Sequence, residues 1–410
     1  MPDFFIYPLV VIIIVVVCVR PKIDMNWVRN RLRRIRGVGI SGLGFGGSIT
    51  ISPDETDKQL INDLVKVLDD SSLDQLVPDK IISYYQLELK PNSPVRLFEN
   101  RGKIFPILIQ EDWLADPAIH TTGFHPRLTL NGRKAHLGQP KLAREYLEAI
   151  QKLNRQFVDN PAFAVLSIGK IEDNGVISIE VQISKYSDYI STSEILNAEL
   201  RLELGRLGLA SGKLNLPLRN AVGVLNFDRY MTKIGLNVLT AQRMSDGYHF
   251  YVMDRSNMVM RRPLEYSNSI HVVPAGTIQP EGAEFLDETE LNLNTTLIRE
   301  YSEEFFNSGI ESKKQLENAL NDNSSARFFI TAFGLDGLTQ KLEICGLLIL
   351  EKPYIPNKLI QSSEGLIKCV NRSELETYAQ QVDKILPAGA LSIWQGLKFL
   401  DKQKQEKKTT

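Results

Sequence analysis

The stretch that most constrains the fold is residues 270–306, in which a β-rich segment is followed by a turn and, further on, by an acidic helix. His271–Val273 has the composition of a strand, and Pro274–Gly276 has that of the turn that ends it. Residues 297–306 (LIREYSEEFF) have the apolar spacing of a helix. The stretch therefore predicts a strand, a turn and a helix in that order.

The predicted helix carries Glu300, Glu303 and Glu304. Because positions three and four apart share one face of a helix, these carboxylates converge and repel one another. A solvated acidic face is the ordinary explanation of such a charge run. Apolar residues on the remaining sides favour partial enclosure instead: Leu297, Ile298, Tyr301, Phe305 and Phe306. Enclosed carboxylates need a cation, and oxygen ligands suit Mg²⁺ or Mn²⁺, which commonly serve phosphate chemistry.

These residues resemble the signature of the Nudix hydrolase superfamily, which joins a glycine-containing strand end to a helix with the sequence Arg-Glu-x-x-Glu-Glu. Residues 299–304 match that helix, and residues 274–276 resemble the Pro-Gly-Gly opening. The chain departs from the signature at Phe306, where the pattern has Gly, and in a longer interval before Arg299, which we interpret as a loop insertion at 283–291. The nearest counterpart of the loop Glu is Glu281, and Asn307 or Gly309 is predicted to end the helix.

The resemblance implies a metal-dependent hydrolase that cleaves a nucleoside diphosphate linked to another moiety. It assigns Mg²⁺ (or Mn²⁺) to Glu300, Glu303 and Glu304, catalytic roles to Glu303, Glu304 and Arg299, and a binding role to Gly276. Arg299 is expected to orient a carboxylate by a charge-assisted hydrogen bond. Because of the departures at Phe306 and in the loop, the alternative is a catalytically inactive, nucleotide-sensing or signalling protein that is tethered to the membrane.

The flanking sequence predicts a sheet around this helix. Residues 234–241 and 248–254 are β-rich runs on either side of a Ser-Asp-Gly turn, which indicates a hairpin, and 327–333 and 342–351 are two further strand candidates. Strands before and after the helix are what the resemblance, over roughly 225–353, implies. The predicted fold class is α/β: a Nudix-like α/β/α sandwich with a mixed sheet, preceded by a smaller α+β region and an N-terminal transmembrane helix.

The remaining sequence is divided by composition and turn signals. A strand is predicted at 104–110, a hairpin from 164–170 and 175–185, and helices at 373–385 and 390–403, the last ending in a charged tail that is expected to fray. The predicted units are an anchor with its basic flank (1–24), an α/β unit (25–112), an α+β unit that packs on the Nudix-like domain (113–215), the Nudix-like domain (216–360), and C-terminal helices with the tail (361–410).

Residues 4–19 are uncharged and mostly apolar, and basic residues follow them. A membrane anchor through 4–19, with the body of the protein in the cytoplasm, is the interpretation that the distribution of positive charge favours. A cytoplasmic protein that starts at Met25 is the alternative.

Composition limits the other partners. The formal net charge is −1, so we expect a nucleotide-derived small molecule and no nucleic acid as the ligand. The three cysteines are far apart, which favours free thiols in a reducing compartment. The G-x-G-x-x-G within 37–47 follows a basic segment and not a strand, so it does not predict a dinucleotide site.

Overall fold

The computed structural model describes residues 53–67, 77–121, 124–129, 140–153, 159–171, 177–207, 213–255, 269–280, 291–307, 309–323, 325–355, 359–362 and 364–409. The predicted span at 4–19, the glycine segment at 37–47 and Glu281 lie outside these ranges. Within them, none of the helices combines the length and the apolar character that a membrane crossing requires. The two cysteines in these ranges, Cys345 and Cys369, are free thiols.

The described strands, in chain order, are β1 Val95–Asn100, β2 Lys103–Gln110, β3 Leu114–His120, β4 Phe124–Thr129, β5 Pro161–Ile171, β6 Ile177–Lys185, β7 Ile234–Met244, β8 Gly247–Asp254, β9 Ile270–Val272, β10 Ala275–Thr277, β11 Ala326–Asp336, β12 Leu342–Leu350, β13 Ile360–Gln361 and β14 Leu366–Val370.

The described helices are α1 Pro53–Lys66, α2 Val77–Glu88, α3 Pro140–Lys152, α4 Tyr186–Tyr189, α5 Ile195–Leu207, α6 Pro217–Val222, α7 Leu293–Phe306, α8 Ile310–Asp322, α9 Arg372–Ala379 and α10 Pro387–Thr409. A π-helical turn, Ile190–Glu194, joins α4 to α5.

The large sheet is mixed, as the sequence predicted. Its strand order is β1-β2-β11-β12-β7-β8-β14-β13, and β3, β9 and β10 pair with β11, β8 and β7 respectively. β7 and β12 are parallel, whereas β7 and β8 form an antiparallel hairpin that closes at Met244 and Gly247. The predicted hairpin and the two predicted strands that became β11 and β12 are confirmed.

Helices cover both faces of this sheet because its central strands are apolar on both sides. Along β7, Leu236 and Val238 point to the face where α7 packs through Leu297 and Phe305. Leu239, one position out of phase, belongs to the core on the opposite face, where α10 packs through Leu391, Trp394 and Leu397. The arrangement is the α/β/α sandwich that the sequence predicted.

Strands from upstream of the Nudix-like region extend the same sheet. Leu335 and Asp336 of β11 pair with Leu108 and Ile107 of β2, and Phe329 pairs with His120 of β3. A second sheet, β4-β6-β5, contains the predicted hairpin strands as β5 and β6. The large sheet thus includes strands on both sides of residue 112, and the division of the chain into units at 112 and 215 stays a prediction.

A buried arginine joins the upstream helices to the turn after β11. Arg219 of α6 donates from Nη1 to the Gly337 carbonyl oxygen at 2.6 Å and from Nη2 to the Leu338 carbonyl oxygen at 2.8 Å. Glu199 of α5 accepts hydrogen bonds from the backbone N–H groups of Leu218 and Arg219. These bonds fix the turn that leads to β12 from the side of α5 and α6.

The C-terminal helices differ from the prediction in length. α9 ends at Ala379, short of the predicted 385, because the chain leaves the helix to pair with β9: Ile270 donates to the Lys384 carbonyl oxygen and accepts from the Leu386 N–H. The charged tail is helical as far as Thr409, and its fraying stays a prediction. Ion pairs of Asp401 with Arg372 and of Asp116 with Lys398 and Lys402 fix the part of α10 up to residue 402.

Candidate functional site

The turn between β9 and β10 places backbone groups beside α7. The Val273–Pro274 peptide bond is cis, and β10 pairs with β7 so that Gly276 lies opposite Leu236. The Pro274 carbonyl oxygen accepts from the Val238 N–H at 2.9 Å. Ala275 and Gly276 therefore lie at the edge of the sheet that faces the acidic side of α7.

The helix α7 is capped at both ends. At its start, the Asn292 side chain accepts from the Asn294 N–H at 2.9 Å. At its end, Asn307 adopts a left-handed conformation with φ 51°, a geometry that Asn tolerates. Asn307 thus ends the helix three positions beyond Glu304. Phe306, which stands where the signature has Gly, remains helical and packs against the Tyr301 ring.

Glu304 is the most enclosed acid of the site. Glu304 is only 4% exposed, and its Oε2 accepts a hydrogen bond from the Ala275 N–H at 3.1 Å. Its Oε1 has no hydrogen-bond partner among the described residues. Burial raises the pKa of Glu304 well above its ordinary value, and repulsion from Glu364 and Glu300 adds to the rise.

Glu300 lies against the turn. A Cβ on Gly276 would lie 2.0 Å from Glu300 Oε1, so only glycine leaves room for this carboxylate. Arg299 donates from Nη2 to Glu300 Oε1 at 2.8 Å and to the Thr277 carbonyl oxygen at 3.0 Å. Burial raises the pKa of Glu300 to about 7, with Arg299 opposing the rise and Glu303 and Glu364 adding to it. The structure therefore brings Arg299, Glu300 and Gly276 together.

A further acid, Glu364, was missed by the sequence analysis. It precedes β14, and its Oε2 accepts from Arg255 Nη2 at 2.5 Å. It is close enough to Glu300 and Glu304 to raise the pKa of both. The local sequence around Glu364, including Ser362 and Gly365, has no spacing that relates it to the signature helix. Glu364 comes close to that helix because β14 pairs with β8.

Gly276, Arg299, Glu300 and Glu364 line a pocket of about 350 Å³, whereas Glu304 is not among its lining residues. Glu300, Glu303 and Glu364 form the acidic side of the pocket. The rest of the lining includes Lys341 and Glu343 of the β11–β12 region, Arg255 after β8, His271 of β9, Leu386 just before α10, and Pro387 and Ala388 at the start of α10. Glu343 accepts at Oε2 from Asn237 Nδ2 at 2.6 Å. The sequence analysis had named none of these lining residues as candidate site residues.

The donor set of the acidic side fits a hard divalent cation. Within the part of the chain that the structure describes, no three His, Cys, Asp or Glu side chains already stand in an arrangement that would hold a metal ion. However, Glu304 Oε1 is a buried oxygen without a hydrogen-bond partner among the described residues, and the charges of Glu364 and Glu300 act on the Glu304 carboxyl group. Carboxylate oxygens are the ligands that Mg²⁺ and Mn²⁺ prefer.

The described chain has a mixed sheet between helical layers, and a helix with the sequence Arg-Glu-x-x-Glu-Glu packs on the turn between two of its strands. No protein-family model matches the sequence, and no curated protein matches it.

Three solved structures align with part of this chain at low sequence identity. An Ap4A hydrolase from C. elegans is 16% identical, with 42% of this chain and 99% of that chain covered and a TM-score of 0.25. A Nudix hydrolase from Alicyclobacillus acidocaldarius is 11% identical, with 40% and 89% covered and a TM-score of 0.26. A bifunctional NMN adenylyltransferase/ADP ribose pyrophosphatase from Francisella tularensis is 12% identical, with 55% and 64% covered and a TM-score of 0.30.

Proposed function

We propose that the chain is a metal-dependent hydrolase that cleaves a nucleoside diphosphate linked to another moiety. The observation that carries the proposal is the buried Glu304, whose Oε1 has no hydrogen-bond partner among the described residues and whose pKa is raised by burial and by the charges of Glu364 and Glu300. A protein that only needed a packed helix would gain stability from an apolar residue at that position, since an unpaired buried polar atom is costly. The enclosed acid therefore supports a role in binding a cation.

In this proposal Glu300, Glu303 and Glu304 hold Mg²⁺ or Mn²⁺, and Glu364 supplies a fourth carboxylate. When bound, the cation polarises phosphate oxygens and lowers the pKa of a water molecule. Arg299 is a positioning residue, because its guanidinium ties Glu300 to the Thr277 carbonyl oxygen. The Ala275 N–H fixes one oxygen of Glu304, which leaves the other oxygen free for a ligand.

Cation binding at this site is coupled to protonation, because two of these acids have raised pKa values. Burial raises the pKa of Glu300 to about 7 and that of Glu304 well above its ordinary value. Metal ligands must be deprotonated, so cation binding releases protons from this pair. Metal affinity is therefore expected to rise with pH across neutrality.

A second candidate function is nucleotide sensing without turnover. The observation in its favour is that, in the described residues, the carboxylates are not yet arranged around a metal position, and Glu300 is hydrogen-bonded to Arg299 instead. In that case the pocket binds a nucleotide-derived molecule and the same residues serve recognition alone.

We also propose that residues 4–19 anchor the protein in a membrane with its body in the cytoplasm, the alternative being a cytoplasmic protein that begins at Met25. This proposal is carried by the uncharged run and the basic residues that follow it.

The test of the hydrolase is the release of a phosphate-containing product from a panel of nucleotide derivatives, with and without Mg²⁺. Glu304→Gln keeps the side-chain shape and removes a charged ligand, so it should lower the metal-dependent rate. Glu317→Gln, an exposed acid on α8, is the matched control. If the unmodified protein binds a nucleotide from the panel but releases no product with either metal, the hydrolase proposal fails and the sensing function replaces it.

A further inference from the structure

Arg255 is a buried cation with an unused donor. The residue is 7% exposed and lines the pocket. One of its N–H groups is taken by Glu364, at 2.5 Å from Nη2. Its Nε has no hydrogen-bond partner among the described residues. A guanidinium has five N–H donors in a planar fork, and its remaining donors are suited to the oxygens of an anionic group.

His271 presents a second unused nitrogen nearby. The residue is 5% exposed, lines the same pocket, and its Nδ1 has no hydrogen-bond partner among the described residues. Nδ1 lies against the first turn of α10, since a Cβ on Gly389 would be 3.0 Å from it. Burial lowers the pKa of His271 well below its ordinary value, and the charged groups that add to this shift are two cations, Arg255 and Lys341. The surroundings of His271 are therefore positive.

The N-terminus of α10 opens on the same part of the pocket, where Pro387 and Ala388 belong to the lining. α10 has 23 residues, so its first N–H groups carry the partial positive charge of a long helix and have no acceptor within the helix. Pro387 occupies the first helical position and has no N–H, and the Ala390 N–H donates to the Leu386 carbonyl oxygen at 3.0 Å. The N–H groups of this turn that have no acceptor within the helix are therefore those of the small residues Ala388 and Gly389. Helix ends of this kind bind phosphate groups.

We propose that Arg255, His271, Lys341 and the first turn of α10 form an anion subsite, which binds a phosphate group of the substrate. The inference rests on the proposed function, which it deepens: the moiety linked to the nucleoside diphosphate carries a negative charge of its own. Two carboxylates border the subsite. Glu364 accepts from Nη2 of Arg255 at 2.5 Å, which leaves Nε of Arg255 without a partner among the described residues. Glu343 is held by the Asn237 amide and by Lys341, whose Nζ lies 3.7 Å from Glu343 Oε1.

The experiment is a calorimetric titration of the full chain with inorganic phosphate in metal-free buffer, with chloride at equal ionic strength as the reference. Arg255→Gln and Lys341→Gln each remove one charge of the subsite. Because a hydrogen bond to a charged group is worth about one order of magnitude or more in affinity, each variant should weaken phosphate binding about tenfold. Arg243→Gln, which removes an exposed arginine of β7 outside the pocket, is the control and should leave binding unchanged.

Lys341→Gln keeps the test decisive if Arg255→Gln does not fold, since the lysine side chain is 24% exposed. Acetate that binds with the same dependence on Arg255 and Lys341 as phosphate would support the subsite and assign it to a carboxylate group. Absence of phosphate binding at millimolar concentration, or equal affinity in both variants and the unmodified protein, would overturn the inference. Because the titration contains no metal and measures no turnover, it fails or succeeds independently of the proposed hydrolysis.

Discussion

Replacement of Glu300 by glutamine should change how the stability of the metal-free protein depends on pH. Burial raises the pKa of Glu300 from its ordinary 4.5 to about 7 in the folded protein. The folded state then binds a proton more tightly than the unfolded state, so Glu300 stabilises the fold below pH 4.5 and this contribution is lost as pH rises through about 7. Between pH 5 and pH 8 the loss amounts to about 2.5 kcal/mol, which is a sizeable part of a typical free energy of unfolding.

The glutamine of the Glu300→Gln variant has no proton to lose, while its carbonyl oxygen can still accept from Arg299 Nη2. The difference in free energy of unfolding between Glu300→Gln and the unmodified protein should therefore move by about 2.5 kcal/mol in favour of the variant between pH 5 and pH 8. Urea unfolding of metal-free protein, followed by tryptophan fluorescence at the two pH values, measures it. Glu317→Gln, an exposed acid on α8, should show no such change. If the difference for Glu300→Gln changes by less than about 1 kcal/mol, the enclosed, proton-retaining Glu300 inferred above is refuted.

Three further predictions concern the same site and the anchor. Mg²⁺ and Mn²⁺ should stabilise the unmodified protein more at pH 8 than at pH 6, because Glu300 and Glu304 must lose protons to bind a cation. Thermal unfolding at increasing metal concentration measures this, and an equal rise in unfolding temperature at both pH values would contradict it. Gly276→Ala should displace Glu300, destabilise the fold by about 1–3 kcal/mol and abolish the rise in unfolding temperature that the metal causes. If denaturation assays show that the variant keeps the full metal-dependent rise, Glu300 is not a ligand. Full-length protein should sediment with membranes and a chain that starts at Met25 should not, as fractionation and immunoblotting would measure; full-length protein found wholly in the soluble fraction would remove the anchor.

Local periodicity predicted one half of the candidate site. Glu300 and Glu304 are four residues apart, and helical geometry alone places them on one face whatever the rest of the chain does. The end of α7 was predicted at Asn307 or Gly309, and the helix ends at Asn307, since Asn tolerates the left-handed conformation that ends a helix. The strands β7, β8, β11 and β12 were predicted because each is a long apolar run bounded by turn residues.

The other half depends on contacts between distant parts of the chain. Arg255, His271 and Glu364 meet because β8 pairs with β9 on one side and with β14 on the other, and the register of those pairs is not encoded in any local spacing. A contact between distant parts of the chain also fixes the C-terminal helix α10. Its charged tail has the composition of a frayed end, but Asp116, far away in the sequence, pairs with Lys398 and Lys402.

The pairing of β11 with β2 and β3 also affects how the protein avoids association with other chains. An apolar strand at the border of a sheet presents a row of unsatisfied N–H and C=O groups that another chain could extend. Residues 95–120 cover β11 at that border, where Leu335 meets Leu108 and Phe329 meets His120. A fragment cut to residues 216–410 would keep the pocket residues but expose β11, and would be prone to intermolecular strand pairing. Residues 95–120, all of which the structure describes, therefore protect the sheet from extension by another chain while contributing no side chain to the pocket lining.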